Sequence, residues 1–238
     1  MWQMLRVLVK VTLMAYLLCG CAYHGAATSD IDNPAVRKVA WFSYLDGNDI
    51  RESCVAGSPD RFRLVYNGQY EKQLRSYEVT AEGTQNGGAY FAARALGQSN
   101  AAEVSLDDLM APWRWQKSES RLSSAEFDQF RDLLTQSGWG SGAPQGKLLH
   151  SRDFYWVASG CRNGQFHFDA WVAAQVDFQR IKFRDFLLAR DKTGIAFRQP
   201  VKVLPIDRTE QGRQRERSAP IFALSVSGEG IGGLVNAF

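Results

Sequence analysis

One stretch of this 238-residue chain specifies both a strand pairing and its register. Residues 153–172, DFYWVASGCRNGQFHFDAWV, hold two β-rich runs on either side of Asn163-Gly164. Asn-Gly is strongly favoured in two-residue hairpin turns, because both residues tolerate positive φ angles. The sequence therefore predicts an antiparallel hairpin with these two residues as its loop. Its facing pairs are Arg162 with Gln165, Cys161 with Phe166, Ala158 with Asp169 and Trp156 with Trp171.

Alternation along the hairpin separates its side chains into two faces. The face that we expect to meet the core comprises Tyr155, Val157, Cys161, Phe166, Phe168 and Val172. The opposite face adds Gln165 to the candidate binding face, which consists of Trp156, Trp171, His167, Asp169 and Arg162. Paired indoles of this kind either pack beneath a helix or the C-terminal segment, or stack against a sugar ring or a partner protein.

The rest of the chain predicts an α+β fold, an antiparallel sheet packed by two or more helices. Alternation and turn residues predict further strands over residues 37–45, 61–67, 73–81, 89–96, 195–206 and 221–226. A second helix is expected over residues 178–190, capped by Asp177.

The first helix has the clearest boundaries. Ser123 and Glu126 have the spacing of a capping box, and Leu122 is placed to pack on Phe127. Gly138 is placed to end the helix. Its apolar stripe is typical of a helix packed on a sheet and consists of Phe127, Phe130, Leu133 and Leu134.

The N-terminus carries a secretory signal. Arg6 and Lys10 precede a short apolar run, which ends in Leu18-Cys19-Gly20-Cys21. This ending resembles the lipobox of bacterial lipoproteins, in which the final Cys is acylated and becomes the first residue of the mature chain. The resemblance implies that Cys21 is the lipidated residue and that the protein is anchored to a membrane. It also implies the outer membrane, since Ala22 rather than Asp follows Cys21. An ordinary cleaved signal with an unlipidated Cys21 is the alternative.

These features divide the chain into a signal peptide (residues 1–20), a lipidated tether (21–36), one globular domain (37–226) and a flexible C-terminal tail (227–238). Residues 207–217 are expected to form a mobile charged loop, with contact to anionic lipid as the alternative.

Two cysteines remain once Cys19 leaves with the signal and Cys21 carries lipid. Cys54 and Cys161 are then predicted to form one disulfide, because an isolated pair outside the cytoplasm is usually oxidised. Free buried thiols, or a catalytic Cys161 with His167 as its base, are the alternatives.

The charge balance argues against nucleic acid as a partner. Loss of Arg6 and Lys10 with the signal leaves 26 basic against 25 acidic residues, a net charge near +1. Nucleic-acid binding generally draws its affinity from a clustered basic surface.

We find no motif that predicts catalysis, a metal or another cofactor. The three histidines, His24, His150 and His167, lack metal-ligand spacing, and no serine lies in a GxSxG turn. The glycines of residues 228–233 resemble a dinucleotide loop, but no helix follows them. Asp107, Asp108 and Glu119 are carboxylates that only the fold could pair.

The sequence therefore predicts a membrane-anchored envelope lipoprotein, facing the periplasm, with a structural or partner-binding role rather than an enzymatic one. Its partners would be the membrane, through the lipid anchor, and envelope proteins or glycan. An envelope hydrolase acting on peptidoglycan or glycans, and a carrier of lipid or lipopolysaccharide, are the alternatives.

Overall fold

The structure is a computed structural model that describes residues 31–83, 87–98, 111–142, 145–209, 211 and 221–237. These residues form a mixed α+β fold with antiparallel sheets, as predicted. The six-stranded sheet has the order β4-β3-β2-β1-β6-β7, and the three-stranded sheet has the order β5-β8-β9. Strands of the larger sheet are β1 (Arg61–Gly68), β2 (Leu74–Ala81), β3 (Ala89–Leu96), β4 (Gln116–Leu122), β6 (Phe154–Arg162) and β7 (Gln165–Val172). Those of the smaller sheet are β5 (Leu148–His150), β8 (Phe222–Ser227) and β9 (Gly230–Ala237).

Four α-helices lie within the described residues: α1 (Pro34–Asp46), α2 (Asn48–Ser53), α3 (Ser124–Gln136) and α4 (Phe183–Arg190). Short 3-10 turns occur at Ala111–Trp113, Val176–Arg180 and Pro205–Arg208. No described helix is long and apolar enough to cross a membrane.

The predicted hairpin is confirmed, including its register. Strands β6 and β7 pair with Trp156 opposite Trp171, and Cys161 opposite Phe166. Asn163 and Gly164 both have positive φ angles, as the tight hairpin turn requires. The strands predicted over residues 61–67, 73–81 and 89–96 are confirmed as β1, β2 and β3, and β8 covers most of the strand predicted over 221–226.

One face of the larger sheet is covered by α3 and α4. The capping box is present, since the Ser123 side chain accepts from the Glu126 amide and Glu126 accepts from the Ser123 amide. Leu122 and Phe127 are both buried in the core of this face. The apolar stripe of α3 thus packs on the sheet as predicted.

The opposite face is covered by α1 and the smaller sheet. The predicted strand over residues 37–45 is wrong, because this segment lies inside α1. Its buried residues are Ser43 and a periodic set that consists of Arg37, Ala40, Trp41, Tyr44 and Leu45. The residues of this set stand at positions i, i+3, i+4, i+7 and i+8, the spacing of an amphipathic helix. Aromatic residues had favoured a strand, but the 3.6-residue period determines the structure.

Two predicted boundaries are also wrong. Ile31, placed in the tether, is fully buried, and its carbonyl accepts from the Trp115 indole at 2.9 Å. The C-terminal tail predicted over residues 227–238 instead contains β9, which pairs with β8. Backbone pairing and the packing of Ile231 against the core order this glycine-rich strand.

Two other segments differ from their predicted elements. Residues 178–190 contain the end of a 3-10 turn followed by α4, rather than one helix capped by Asp177. Residues 195–206 form no strand. Their chain is held instead by side chains from β1 and from the residue before β2, as Tyr66 donates to the Arg198 carbonyl and Gln73 donates to the Ala196 carbonyl. Most of the predicted charged loop over residues 207–217, like the predicted signal peptide and Cys21, lies outside the described residues.

The predicted disulfide between Cys54 and Cys161 is present. It joins the residue that follows α2 to the end of β6, across 107 residues of sequence. The bond therefore fixes α2 against the hairpin, next to the cleft described below.

Candidate functional site

The two tryptophans of the candidate binding face are buried, which corrects their assignment as contact residues. Trp156 is fully buried, and its ring contacts Tyr77 and Phe183. Trp171 is 4% exposed and donates its indole N–H to the Ser137 carbonyl at 3.0 Å. Helices α3 and α4 cover this part of the face. Of the two interpretations that the sequence allowed, the structure has the one in which helices cover the indoles.

The polar residues of that face lie closer to the hairpin turn. Arg162 donates to the Thr135 hydroxyl at 3.2 Å, at the end of α3. His167 packs edge-on against Trp139, with 5.1 Å between ring centroids. Asp169 is nearly buried and accepts from the Gly140 amide at 2.8 Å. Gly140 has a φ of 88°, a backbone conformation that glycine adopts without strain.

His167 and Asp169 line a cleft of about 290 Å³ beside β7. We call it the β7 cleft. Its lining residues are Arg51, Gly140, Gly142, Phe166, His167, Phe168, Asp169, Gly228 and Glu229. The cleft thus combines the hairpin with the loop after α3, with α2, and with the β8–β9 turn.

Sequence reasoning missed the residues contributed by α2 and by the two loops. The glycines of residues 138–142 and 228–233 were a signal of close backbone approach, but nothing local indicated that they meet at β7. Trp156 and Trp171 lie elsewhere, so the structure brings together only the polar part of the predicted face.

Arg51 is a fixed cation at the rim of the cleft. Its guanidinium binds the Asp46 carboxylate at 2.9 Å and donates to the Glu229 carbonyl at 2.7 Å. It also lies over the Phe166 ring, 4.4 Å from the centroid. These contacts hold the charge in place and join α2 to the β8–β9 turn. They leave the side chain about one-third exposed to solvent.

The cleft holds two titratable groups with shifted ionisation. Burial raises the pKa of Asp169 to about 6, although the Gly140 amide and the charge of Lys147 favour its ionised form. Burial and the neighbouring charge of Arg162 lower the pKa of His167. At neutral pH, His167 is therefore uncharged, and Asp169 is ionised but close to its titration range.

The outer edge of β7 presents backbone groups to the cleft. The Ala173 N–H donates to the Phe154 carbonyl. Because the hydrogen-bonding direction alternates along a strand, the N–H and C=O groups of odd-numbered β7 residues face β6, and those of even-numbered residues point away from the sheet. The Lys147 ammonium donates a hydrogen bond to the outward carbonyl of Ala170 at 2.7 Å. Within the described residues, no strand pairs with the outward groups of Phe166 and Phe168. This part of β7 is an open sheet edge.

Within the described part of the chain, no group of three or more His, Cys, Asp or Glu side chains could hold a metal ion. Comparison with known proteins adds no assignment, since no family model, curated protein or solved structure matches this chain.

Replacement of Asp169 by Asn is expected to raise the free energy of unfolding by about 3 kcal/mol at pH 7.5. Burial raises the pKa of Asp169 above its unfolded value, so the folded protein favours the protonated carboxyl. The contribution of the Asp169 carboxyl to the free energy of unfolding is therefore fully present below about pH 4, and it is lost as the pH rises through about 6. Asn imitates the neutral form and still accepts from Gly140. Urea titrations of both chains at pH 4 and 7.5 test this, and an equal difference at both pH values would contradict it.

Proposed function

We propose that this protein is an acylated envelope lipoprotein that binds an extended segment of a partner protein along β7. The observation that carries the binding role is the open sheet edge at Phe166 and Phe168, two residues that line the β7 cleft. The lipobox resemblance at Cys21 supports the anchor, and Ala22 supports an outer-membrane position facing the periplasm. The proposed role is non-enzymatic.

Strand addition suits the chemistry of this edge. Phe166 and Phe168 each have an outward N–H and C=O. The backbone of an added strand would form hydrogen bonds with these groups. Main-chain hydrogen bonds of this kind supply affinity, while flanking side chains supply specificity. Arg51 would favour an acidic group on the partner beside Phe166, and Asp169 would favour a donor further along β7. The preferred ligand is therefore an extended segment of mixed polarity.

Native proteins usually protect exposed strand edges. The Lys147 ammonium does this at Ala170, where it also forms an ion pair with Asp177. Phe166 and Phe168 lack such cover within the described residues. The edge is thus blocked at Ala170 and open at Phe166 and Phe168, inside the cleft. This difference favours a binding role for the open part.

Photo-crosslinking tests the proposal. His167 is replaced by p-benzoylphenylalanine in the full chain, produced in its source cells, and membranes are irradiated. We expect one discrete adduct with an envelope protein. Phe166→Pro removes the outward N–H and is expected to lower the adduct yield at least five-fold, whereas Phe166→Ala keeps the N–H and retains most of it. Proline is tolerated at such an edge position, because this N–H has no partner within the sheet.

Circular dichroism of both Phe166 variants checks that they remain folded. Equal adduct yields from Phe166→Pro and Phe166→Ala would show that the backbone edge is not the binding element. A ladder of unrelated adducts would contradict a specific partner.

The envelope hydrolase is the second candidate, and one observation favours it. Asp169 and Glu229 line the same cleft, and the pKa of Asp169 is raised to about 6, which suits a general acid. Release of soluble fragments from purified peptidoglycan, abolished by Asp169→Asn, would favour this function. The lipid carrier lacks a supporting observation, since packed side chains cover both faces of the larger sheet in the described residues.

A further inference from the structure

Five of the eleven large apolar side chains that are exposed in the described residues lie at one end of the larger sheet. We call it the anchor end, and define it as the end at which β1 finishes and β2 begins. Three of these side chains lie within six residues of each other, in the segment around the last 3-10 turn. The set, with exposed fractions, is Val36 (42%), Trp113 (38%), Val201 (57%), Leu204 (51%) and Ile206 (40%).

Hydrogen bonds tie these side chains' segments to the same end of the sheet. Arg37, the neighbour of Val36, donates to the Trp113 carbonyl at 2.9 Å. The segment that leads to Val201 is held by the β1–β2 turn, where Arg198 donates to the Gln69 side chain at 2.8 Å. Further on, Arg208 binds Asp153, which immediately precedes β6. The apolar set therefore surrounds one end of the fold.

The described residue nearest in sequence to Cys21 is also held at this end. This residue is Ile31, and its carbonyl accepts a hydrogen bond from the indole of Trp115, just before β4. Ten residues follow Cys21 up to and including Ile31. Even fully extended, ten residues span about 35 Å. A lipid on Cys21 would thus hold the anchor end within that distance of the bilayer.

We propose that the anchor end rests on the lipid bilayer, with Trp113, Val201, Leu204 and Ile206 inserted at the level of the headgroups. This inference depends on the proposed acylation of Cys21. Tryptophan and aliphatic side chains near a tethered terminus suit the membrane interface, where indoles concentrate and apolar area leaves water.

The charges at this end fit an anionic membrane. Arg114 and Lys202 are exposed next to Trp113 and Val201, and Lys117 is half-exposed while paired with Asp32. The acidic residues at this end include Glu71, which is exposed in the β1–β2 turn, and Asp207, which is half-buried in the last 3-10 turn. Basic side chains beside inserted apolar ones gain from the negative surface potential of such lipids.

The proposal sets the orientation of the whole domain. Strand β7 starts at the hairpin turn, at the end of the sheet opposite the anchor end, and the β7 cleft is lined by residues 166–169 of its first half. Docking of the anchor end would therefore turn the cleft away from the bilayer, toward soluble partners.

Fluorescence quenching by lipid tests the docking. The full chain, processed at its own N-terminus, is reconstituted in vesicles of phosphatidylethanolamine and phosphatidylglycerol, with or without bromine on the acyl chains. Leu204→Trp places a probe at the anchor end. Val55→Trp is the matched control, because Val55 is 62% exposed and adjoins the disulfide at the opposite end. The signal of the processed parent chain, which keeps six of the seven tryptophans because Trp2 leaves with the signal peptide, is subtracted.

We expect brominated lipid to quench the Leu204→Trp probe at least three times as strongly as the Val55→Trp probe. Equal quenching in chains that float with the vesicles would overturn the docking while leaving the anchor intact. Failure of both chains to float would contradict the acylation itself, and with it the docking. A blue-shifted Leu204→Trp probe without lipid quenching would show that a protein, such as a second copy, covers this end, and would also overturn the proposal.

Discussion

Reduction of the Cys54–Cys161 disulfide lowers the free energy of unfolding by about 4 to 5 kcal/mol. The bond closes a loop of 107 residues, and the chain-entropy treatment gives a loss of this size for a loop so long. Such a loss is a large part of the stability of an ordinary domain. Urea unfolding with and without reductant measures the difference.

The double variant Cys54→Ser/Cys161→Ser is the control for this prediction. It should unfold at the urea concentration of the reduced parent chain, and reductant should not change it. A reduced parent that loses less than about 1 kcal/mol would show that the link between α2 and β6 contributes little to the unfolded-state entropy.

Arg63→Met is expected to cost about 3 to 5 kcal/mol of unfolding free energy. The Arg63 side chain is fully buried and binds Asp49 at 2.7 Å and Glu78 at 3.0 Å. It also lies over the Tyr44 ring, 3.8 Å from the centroid. Methionine fills similar space but leaves two nearly buried carboxylates without their central cation. Equilibrium denaturation of the variant gives the magnitude.

Arg61→Met is the matched control, since Arg61 binds the same Asp49 at 3.0 Å but is 27% exposed. Its loss should change stability by less than about 1 kcal/mol, because water screens partly exposed ion pairs. Similar losses for Arg61→Met and Arg63→Met would contradict the assignment of Arg63 as the centre of the cluster.

Local signals in the sequence were sufficient to predict the elements whose ends are marked by turn or capping residues. Asn163-Gly164 determined the hairpin and its register, and the spacing of Ser123 and Glu126 located the start of α3. In each case the deciding interaction joins residues close in sequence. Such features can be predicted because no distant contact has to be known.

The predictions failed where tertiary contacts determine the secondary structure of a segment or the burial of a side chain. Residues 37–45 are rich in aromatic side chains, which favour strands in isolation, but their helical period lets α1 cover the sheet. Trp156 and Trp171 alternate as surface residues of a strand would, but both faces of this sheet are covered. A two-sided core removes the difference between inward and outward positions on which period-two reasoning depends.

The candidate site shows the same division. His167 and Asp169 could be predicted from the hairpin register, because they share one strand and one face. Arg51 and Glu229 are 178 residues apart and meet through one hydrogen bond, which no local pattern indicates. The open edge of β7 likewise depends on strand order, which is a property of the whole sheet.

The most direct test of the account is the crosslink from position 167, made in intact cells with Cys21 present or replaced by Ala. With Cys21, we expect the protein in the outer-membrane fraction and one adduct that Phe166→Pro removes. With Cys21→Ala, the protein should leave that fraction and the adduct yield should fall at least several-fold. A Cys21→Ala chain that stays in the outer membrane, or an adduct that Phe166→Pro leaves unchanged, would contradict an anchored protein that binds its partner along β7.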